Sequence, residues 1–345
     1  MTIRYASQTE IQSWNNQIAN NPDGGNIFQG DGFARTKAAY NWNVHYLVVG
    51  EIYILVLERK IPFLGNFWYI PKGPGVLDID SLKKILPELR KFAKQNNVFL
   101  IKLEPQFVNS KPIIIKLNKL NLKKRHGVQV PNTIFLDISK DIDDIVARFS
   151  PKTRYNIRSA KKANVVTEVV QITDESCRLF YELLVKTIHG RAHLRDFEYY
   201  QKFWKSHYDT NSGIFLFAKV NDNIISMNFI AILGKKAARK DAASTREFDV
   251  RGASALLEVE TIKYLKEQGV EEYDFCGTPP SDQVKNQSHP YYGVGSFKAG
   301  FNSTVTDFIG CCDLEINPIR CMVWEKIGER IAHKIYYFQH HDLYY

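Results

Sequence analysis

The sequence predicts a mixed α/β protein built from two tandem domains. Its 345 residues exceed what one hydrophobic core usually organises, and 44% of them are hydrophobic, which is enough for two cores. The order strand, helix, strand also appears once in each half of the chain. Length, composition and this repeated order therefore indicate the same architecture.

The first half begins its predicted sheet with a hairpin. The β-rich runs VHYLVVG and IYILVLERK are separated by a glycine, and NFWYIPKGPGV follows as a strand that ends in a Pro/Gly turn. DIDSLKKILPELRKFAKQNN has helical spacing with acidic residues in its first turn, and VFLIKLEP is a short buried strand. We expect these elements to form one α/β unit.

The second half repeats this order. GIFLFAKVNDNIISMNFIAILG predicts a hairpin, GASALLEVETIKYLKEQG predicts a helix that ends at Gly269, and VEEYDFCGTPP predicts a short strand. The apolar stripe of this helix includes Ala255, Leu256, Val259 and Ile262. In both halves the strand after the helix ends at an acid, which is Glu104 in one and Asp274 in the other. This parallel indicates a duplicated unit.

Each unit resembles the core of the GCN5-type N-acyltransferase fold. In that fold a glycine-rich loop and a helix N-terminus receive a pyrophosphate. RGAS, before the second helix, matches only part of that loop. We place the first domain at residues 1–148 plus 316–345 and the second at residues 149–315.

A terminal helix is predicted for NPIRCMVWEKIGERIAHKIYYFQHH. Asn317 is its expected N-cap, and Pro318 occupies the first helical position. Its apolar side chains follow helical spacing, at Trp324, Ile327, Ile331, Ile335 and Phe338. Such a stripe packs along a domain or lies on a membrane, and the general frequency of such helices favours packing.

The overall charge favours phosphate-bearing partners. The chain has 46 Lys and Arg against 37 Asp and Glu, a formal net charge of +9, which suits nucleic acid, a nucleotide sugar or an anionic membrane surface. A basic surface that only keeps the protein in solution is the alternative. No apolar run approaches the ~20 residues of a transmembrane helix, and no signal-peptide core is present, so we expect a cytoplasmic protein. The five cysteines form no CxxC pair, so we expect reduced thiols and no metal.

One segment is strongly basic. KTRYNIRSAKKANV predicts a helix that carries Lys152, Arg154, Arg158, Lys161 and Lys162. Like charges this close repel each other, so a polyanion is a reasonable partner. A solvated helix without a partner is the alternative.

Four segments together resemble the FemABX group of non-ribosomal peptidoglycan aminoacyltransferases. They are YIPKGPGV, PNTIFLDISKDIDDIVARFSPKTRYNIRSAKKANV, YDFCGTPP and GVGSFKAGFNS. Their order and approximate spacing match, and the resemblance extends over about residues 27–335. It implies two GCN5-like domains, with the terminal helix returning to the first. The long helical hairpin of some members has no counterpart.

The resemblance also implies a reaction. Aminoacyl-tRNA is the donor, and a peptidoglycan precursor, UDP-linked or lipid-linked, is the acceptor. The product is an amide on a stem-peptide amine, and no cofactor or metal is needed because the ester is already activated. We expect a monomer in the cytoplasm, peripheral to the inner face of the membrane.

Candidate catalytic residues follow from the last of these segments. Lys298 matches the family lysine credited with stabilising the oxyanion, and Phe297 shapes the pocket for the acceptor end of the tRNA. Gly293, Gly295 and Gly300 would let the backbone approach a ligand. In the alternative reading, Lys298 is an ordinary strand lysine with its stem on an apolar surface.

The binding residues are assigned in the same way. Lys37, in IFQGDGFARTK, stands at the position of a phosphate-binding lysine, and Arg195 with Tyr199 matches a pair that contacts the same acceptor. Glu104 stands where the family usually has an aspartate that meets the attacking amine. We assign the basic helix to the donor tRNA, because dispersed charges suit a phosphate backbone.

Two departures from the family indicate a changed substrate preference. ARKDAAST stands where many members carry tyrosines, so Lys240 and Asp241 replace an aromatic wall, and Cys276 stands where glycine is common. Two rival functions remain open, an acyl-CoA-dependent N-acyltransferase and a non-enzymatic RNA-binding module.

Overall fold

A computed structural model describes residues 1–190 and 194–345. They form two compact units, one of Met1–Pro131 with Phe308–Tyr345 and one of Asn132–Asp307. The sequence-based boundaries differ from these by up to 17 residues at the first junction, because 148 − 131 = 17. Strand pairing explains the difference, since residues 132–137 pair with later strands of the second unit and residues 311–315 pair within the first.

The strands of the described residues are numbered in chain order. They are β1 (Ile3–Tyr5), β2 (Asn43–Val49), β3 (Ile52–Ile61), β4 (Gly65–Ile70), β5 (Val98–Leu103), β6 (Leu122–Arg125), β7 (Asn132–Thr133), β8 (Phe135–Asp137), β9 (Val166–Val170), β10 (Gly213–Val220), β11 (Asn223–Leu233), β12 (Lys236–Ser244), β13 (Glu272–Asp274), β14 (Thr306–Asp307) and β15 (Cys311–Glu315).

The helices are numbered likewise. They are α1 (Gln8–Gln12), α2 (Trp14–Ala19), α3 (Asp31–Ala39), α4 (Ile79–Gln95), α5 (Lys111–Lys119), α6 (Ile142–Ala147), α7 (Pro151–Lys162), α8 (Asp174–Ile188), α9 (Phe197–Tyr208), α10 (Ala253–Glu267), α11 (Tyr292–Ala299), α12 (Pro318–Val323) and α13 (Glu329–His340). A 3₁₀ turn covers Ile27–Gln29, and a π-helical turn, Trp324–Gly328, joins α12 to α13.

The first unit is a seven-stranded sheet in the order β1-β2-β3-β4-β5-β15-β6. The predicted hairpin is confirmed as β2 and β3, which turn at Gly50 with φ +63°. α4 begins at Asp78, whose carboxylate caps the Ser81 amide, and it leads into β5, which pairs parallel with β4. β15 enters from the far end of the sequence and pairs antiparallel with both β5 and β6.

The second unit repeats that order in a six-stranded sheet, β8-β13-β12-β11-β10-β9. β10, β11 and β12 are antiparallel, α10 follows, and β13 pairs parallel with β12, as β5 pairs with β4 in the first unit. The apolar stripe predicted for α10 is buried. The duplicated α/β unit is therefore confirmed. β12 was not predicted, because KAARKDAAS lacks the β-branched and aromatic residues typical of strands.

The terminal helix differs from its prediction. Asn317 caps it as expected, through the Arg320 amide, but the predicted packing is wrong for most of the stripe. Trp324 is buried, whereas Ile327, Ile331, Ile335 and Phe338 are exposed. The π-helical turn is the reason, because its wider turn takes up an additional residue and rotates the rest of the helix away from the side on which Trp324 packs. After that turn the inner side carries Glu329, His333 and Tyr336 instead.

Within the described residues, no helix is both long and apolar enough to cross a bilayer.

Candidate active site

Lys298 lies on the short helix α11, not on a strand. Two of the glycines beside it serve close packing within the second unit. A Cβ on Gly295 would lie 2.6 Å from Pro279 Cδ, and one on Gly300 would lie 2.3 Å from Thr153 Oγ1. The proposal that these two glycines admit a ligand is therefore replaced by a structural role, while Gly293 has open space around its Cβ position.

The Lys298 side chain is 5% exposed and reaches the loop after β13. Its ammonium donates hydrogen bonds to the carbonyl oxygens of Cys276 and, at 2.6 Å, Gly277. An ammonium has three N–H donors, so the third can serve another acceptor. Burial lowers the pKa of this group, the nearby Arg239 guanidinium lowers it further, and it falls to about 7. The charge of Lys298 therefore changes near neutral pH.

The loop that holds Lys298 has left-handed backbone. Cys276 has φ +52° and Gly277 φ +26°, and left-handed φ values favour glycine. The Asp274 carboxylate stabilises the turn by accepting a 2.6 Å hydrogen bond from the Cys276 amide. Glycine would fit this backbone without strain, and Cys276 adopts it at some conformational cost.

A buried polar network lies beside this loop. Glu258 on α10 is completely buried and accepts hydrogen bonds from Arg239 at 2.5 Å, Tyr273 at 2.8 Å and Asn228 at 3.0 Å. The Arg239 guanidinium also lies over the rings of Phe275 and Phe297, at 5.2 and 5.4 Å. Phe297 is half-buried and meets Phe301 edge-on at 5.2 Å. Arg239 therefore joins the network to the residue next to Lys298.

This network was not predicted from the sequence. Its one signal was polar residues inside apolar runs, since Asn228 interrupts MNFIAIL and Glu258 lies between Leu257 and Val259. Buried polar groups need partners, so these interruptions indicate a paired interior. Arg239 gave no such signal, because β12 was not recognised.

Lys240 and Asp241 lie among aromatic residues of α9. Asp241 accepts a 2.9 Å hydrogen bond from Trp204 Nε1 and lies 3.5 Å from Lys240 Nζ, which lies 5.4 Å from the Phe203 ring centre. Burial alone would lower the pKa of Lys240, but Asp241 and nearby tyrosines raise it above its usual value. Lys240 therefore remains charged, in contrast to Lys298.

The basic segment forms α7, as predicted. Its inner side carries Thr153, Ile157 and Ala160, and four of the five predicted cations are exposed, at Lys152, Arg158, Lys161 and Lys162. Arg154 differs, because its guanidinium donates to the carbonyl oxygens of Ala147 and Phe149 and so caps the end of α6. Tyr155, which is 52% exposed, lies on the outer side among the cations.

Two of the predicted acceptor-binding residues contact each other. The Arg195 guanidinium lies 4.1 Å from the ring centre of Tyr199. The helix begins at Phe197, with Asp196 as its N-cap, so Arg195 precedes the helix that carries Tyr199. The Tyr181 hydroxyl donates a 2.9 Å hydrogen bond to the Arg195 carbonyl and holds this entry segment.

Lys37 and Glu104 both lie in the first unit and are buried. Lys37 is on α3, with its ammonium 5.3 Å from the Phe33 ring centre. The Glu104 carboxylate accepts hydrogen bonds from the Tyr69 hydroxyl at 2.5 Å and from the amides of Val128 and Gln129 at 2.8 and 2.9 Å. Glu104 therefore anchors the segment after β6, and its proposed contact with the acceptor amine stays a prediction.

Comparison with known proteins agrees with this architecture. The FemAB family model matches residues 7–125, 115–228 and 234–327. The lipid II:glycine glycyltransferase of Staphylococcus haemolyticus (strain JCSC1435) is 23% identical, over 89% of this chain and 92% of that protein. The enzyme of the same name from Staphylococcus aureus (strain MRSA252) is also 23% identical, over 91% and 94%.

Solved structures show the same fold. The crystal structure of FemX superposes with a TM-score of 0.80 at 19% identity, over 95% of this chain and 100% of that one. The C-terminal domain of a putative lysylphosphatidylglycerol synthetase from Agrobacterium fabrum has a TM-score of 0.54 at 11% identity, over 92% and 96%. The predicted fold class, mixed α/β with two GCN5-like domains, is confirmed.

Proposed function

Because this chain belongs to the FemAB family, we propose that it is an aminoacyltransferase that moves an amino acid from aminoacyl-tRNA to a stem-peptide amine of a peptidoglycan precursor. The resulting amide builds an interpeptide bridge. The relatives named lipid II:glycine glycyltransferase support a lipid-linked acceptor, and a UDP-linked stem peptide is the second acceptor to test.

The reaction needs a group that stabilises negative charge. The acceptor nitrogen adds to the ester carbonyl carbon, and the carbonyl oxygen becomes an oxyanion. The ester C–O bond then breaks, one proton leaves the nitrogen and one reaches the departing ribose oxygen. A preorganised cation near the oxyanion lowers the barrier to this sequence.

The placement of Lys298 is the observation that carries the proposal. Two carbonyl oxygens hold its ammonium in place, and one N–H donor is left for an oxyanion. Its pKa of about 7 leaves a substantial charged fraction at neutral pH. Phe297, the next residue, is half-buried against the second core and suits the proposed contact with the acceptor end of the tRNA.

The start of α10 favours aminoacyl-tRNA over acyl-CoA as donor. In GCN5-type enzymes this helix N-terminus receives the CoA pyrophosphate. Here Gly252, which has φ +87°, is packed so closely that a Cβ would lie 2.0 Å from the Asn156 carbonyl oxygen of α7. Gly252 is therefore packed against the backbone of α7, which leaves no room for a ligand on that side of it.

A mass measurement tests the proposed reaction. Purified protein is incubated with charged tRNA and either UDP-linked or lipid-linked stem peptide, and the acceptor is weighed by mass spectrometry. We expect a gain of one amino-acid residue that requires the tRNA. A gain of an acetyl group with acetyl-CoA, or RNA binding with no gain in any mixture, would instead support one of the two rival functions.

Reversing charge on α7 is expected to weaken binding of the donor. Arg158→Glu with Lys162→Glu changes two exposed cations one helical turn apart, and it should raise the KM for aminoacyl-tRNA about tenfold or more and flatten its salt dependence. The KM for the acceptor should not change. Lys116→Glu with Lys119→Glu on α5 is the matched control. If only acceptor binding weakens, α7 has been assigned to the wrong substrate.

Removing the Arg195 side chain is expected to weaken binding of the acceptor. Arg195→Ala deletes a charge-assisted hydrogen bond to the acceptor diphosphate worth about 1.5 to 3 kcal/mol, which raises the acceptor KM about tenfold or more. The donor KM should stay nearly constant. Arg178→Ala is the control, because Arg178 likewise lies over an aromatic ring, that of Phe197 at 4.7 Å. Equal acceptor KM values for the parent and Arg195→Ala would remove Arg195 from the site.

A further inference from the structure

The C-terminal helix carries an apolar side that no described residue covers. Ile327, Ile331, Ile335 and Phe338 are 57, 50, 52 and 83% exposed, and we name them the terminal apolar face. Their spacing of three or four residues places them on one side of the helix. Contiguous apolar surface of this kind marks an interaction site.

The opposite side fixes the helix to the first unit. Trp324 and Tyr336 are buried there. Glu325 pairs with Arg125 at 2.8 Å, and Glu329 accepts a 3.0 Å hydrogen bond from the Tyr345 hydroxyl and lies 3.9 Å from Lys102 Nζ. Both acids of this segment are therefore balanced by partners in the first unit, and the orientation of the terminal apolar face is set.

A row of cations borders the terminal apolar face. Lys326, Arg330 and Lys334 follow each other at four-residue spacing, and all three are exposed. Since Glu325 and Glu329 have cationic partners, the outer side of the helix carries net positive charge. We name these three residues the terminal basic row.

An exposed aromatic residue stands beside the start of the helix. Phe63, at the tip between β3 and β4, is fully exposed with φ +64°. The next residue, Leu64, accepts a 3.1 Å hydrogen bond from Arg320 through its carbonyl oxygen, and its Cδ1 lies 3.6 Å from the Cβ position of Gly328. The hairpin tip therefore lies beside the segment of the C-terminal helix that begins the terminal apolar face.

We propose that this surface docks on an anionic membrane, with the terminal apolar face and Phe63 among the lipid head groups and the terminal basic row on lipid phosphates. From Ile327 to Phe338 the helix is about 16 Å long at 1.5 Å per residue. Because its apolar side chains lie on one side along this whole length, the helix would lie in the membrane plane. Apolar side chains flanked by Lys and Arg are typical of helices that bind such surfaces.

The charge pattern argues against a second copy of the chain as the occupant. A two-fold contact that pairs the two helices antiparallel through the terminal apolar face would place both terminal basic rows on the same edge, and like charges repel. Docking on a membrane determines where in the cell the protein acts. It depends on neither the proposed donor nor the proposed acceptor.

Vesicle flotation tests the proposal with the full chain. Vesicles with about a third phosphatidylglycerol are compared with vesicles of phosphatidylcholine alone. The parent protein should bind the anionic vesicles, and Ile331→Ser with Ile335→Ser and Phe338→Ser should weaken binding about tenfold or more. Ile115→Ser changes a 56% exposed isoleucine on α5 and should have no effect. Replacing the terminal basic row by glutamine should weaken binding about fivefold per charge at low salt.

Several results would overturn the proposal. They are a parent protein that does not bind, equal binding to both vesicle types, or a concentration-dependent dimer in analytical ultracentrifugation that the triple serine variant abolishes. Transfer to a water-soluble UDP-linked acceptor should be the same for the parent and the triple serine variant, so failure of docking and failure of the proposed reaction are distinguishable.

Discussion

Lys298→Met is expected to lower the rate of aminoacyl transfer about 100- to 1000-fold, because it removes the cation proposed to stabilise the oxyanion. Methionine keeps most of the apolar stem. Stability should change little, since the buried ammonium and its two hydrogen bonds to Cys276 and Gly277 affect stability in opposite directions. Single-turnover kinetics with saturating substrates measure the effect.

Lys285→Met is the control for this substitution. Lys285 is an exposed lysine of the same unit, so its loss should leave the rate unchanged. Transfer by Lys298→Met at the parental rate would show that the ammonium has no part in the reaction. A variant that unfolds would assign Lys298 a structural role, and Lys298→Arg, which keeps a cation but has a planar fork, then separates charge from packing.

The depressed pKa of Lys298 adds a dependence on pH. The charged fraction should fall as pH rises through about 7, so the parental rate should decline relative to that of Lys298→Arg, in which the cation does not titrate. Using this ratio cancels the titration of the acceptor amine. The free energy of unfolding should change with pH in the opposite sense. The pKa of Lys298 is about 7 in the folded protein and about 10.4 in the unfolded chain. Between these values the unfolded state binds more protons, so the free energy of unfolding rises with pH.

Glu258→Ala is expected to destabilise the second unit by about 3 to 5 kcal/mol, because it leaves the buried Arg239 guanidinium without its carboxylate. Tyr273 and Asn228 lose their shared acceptor as well. Hydrogen exchange resolved by peptide measures this loss within Asn132–Asp307.

The double variant Arg239→Met with Glu258→Leu tests whether these two residues act as a pair. Apolar residues of similar volume can replace a buried ion pair with little loss, so we expect most of the stability to return. Arg239 lowers the pKa of Lys298 more than Glu258 raises it, so removing both should also move the fall of the transfer rate with pH to higher pH. If single and double variants lose equal stability, the network is not a paired unit.

Apolar periodicity predicted the helices and strands in which one side is buried and the other side is exposed to solvent. The hairpin of β2 and β3 and the helices α4 and α10 are of this kind. β12 was missed because its alanines and charged residues give no strand pattern, and Arg239 was missed with it. Lys298 was singled out because it matches the family lysine in GVGSFKAGFNS, whereas its carbonyl partners depend on a left-handed turn that composition does not reveal.

The terminal helix shows a different limit. Its apolar spacing is regular in sequence, yet one π-helical turn changes which side faces the first unit. No residue pattern within Trp324–Gly328 distinguishes that turn from an ordinary α-helix. The exposed terminal apolar face therefore depends on tertiary packing around Trp324, not on helix propensity.

The position of β15 has a consequence for synthesis on the ribosome. This strand lies between β5 and β6, although the 185 residues from 126 to 310 separate it from β6 in the chain. The second unit is continuous from Asn132 to Asp307, so all of its residues are synthesised before β15. The first unit emerges earlier but lacks this inner strand until residues 311–315 are synthesised. Until then its sheet has an unpaired edge at β5. The domain that is translated first therefore completes its folding last.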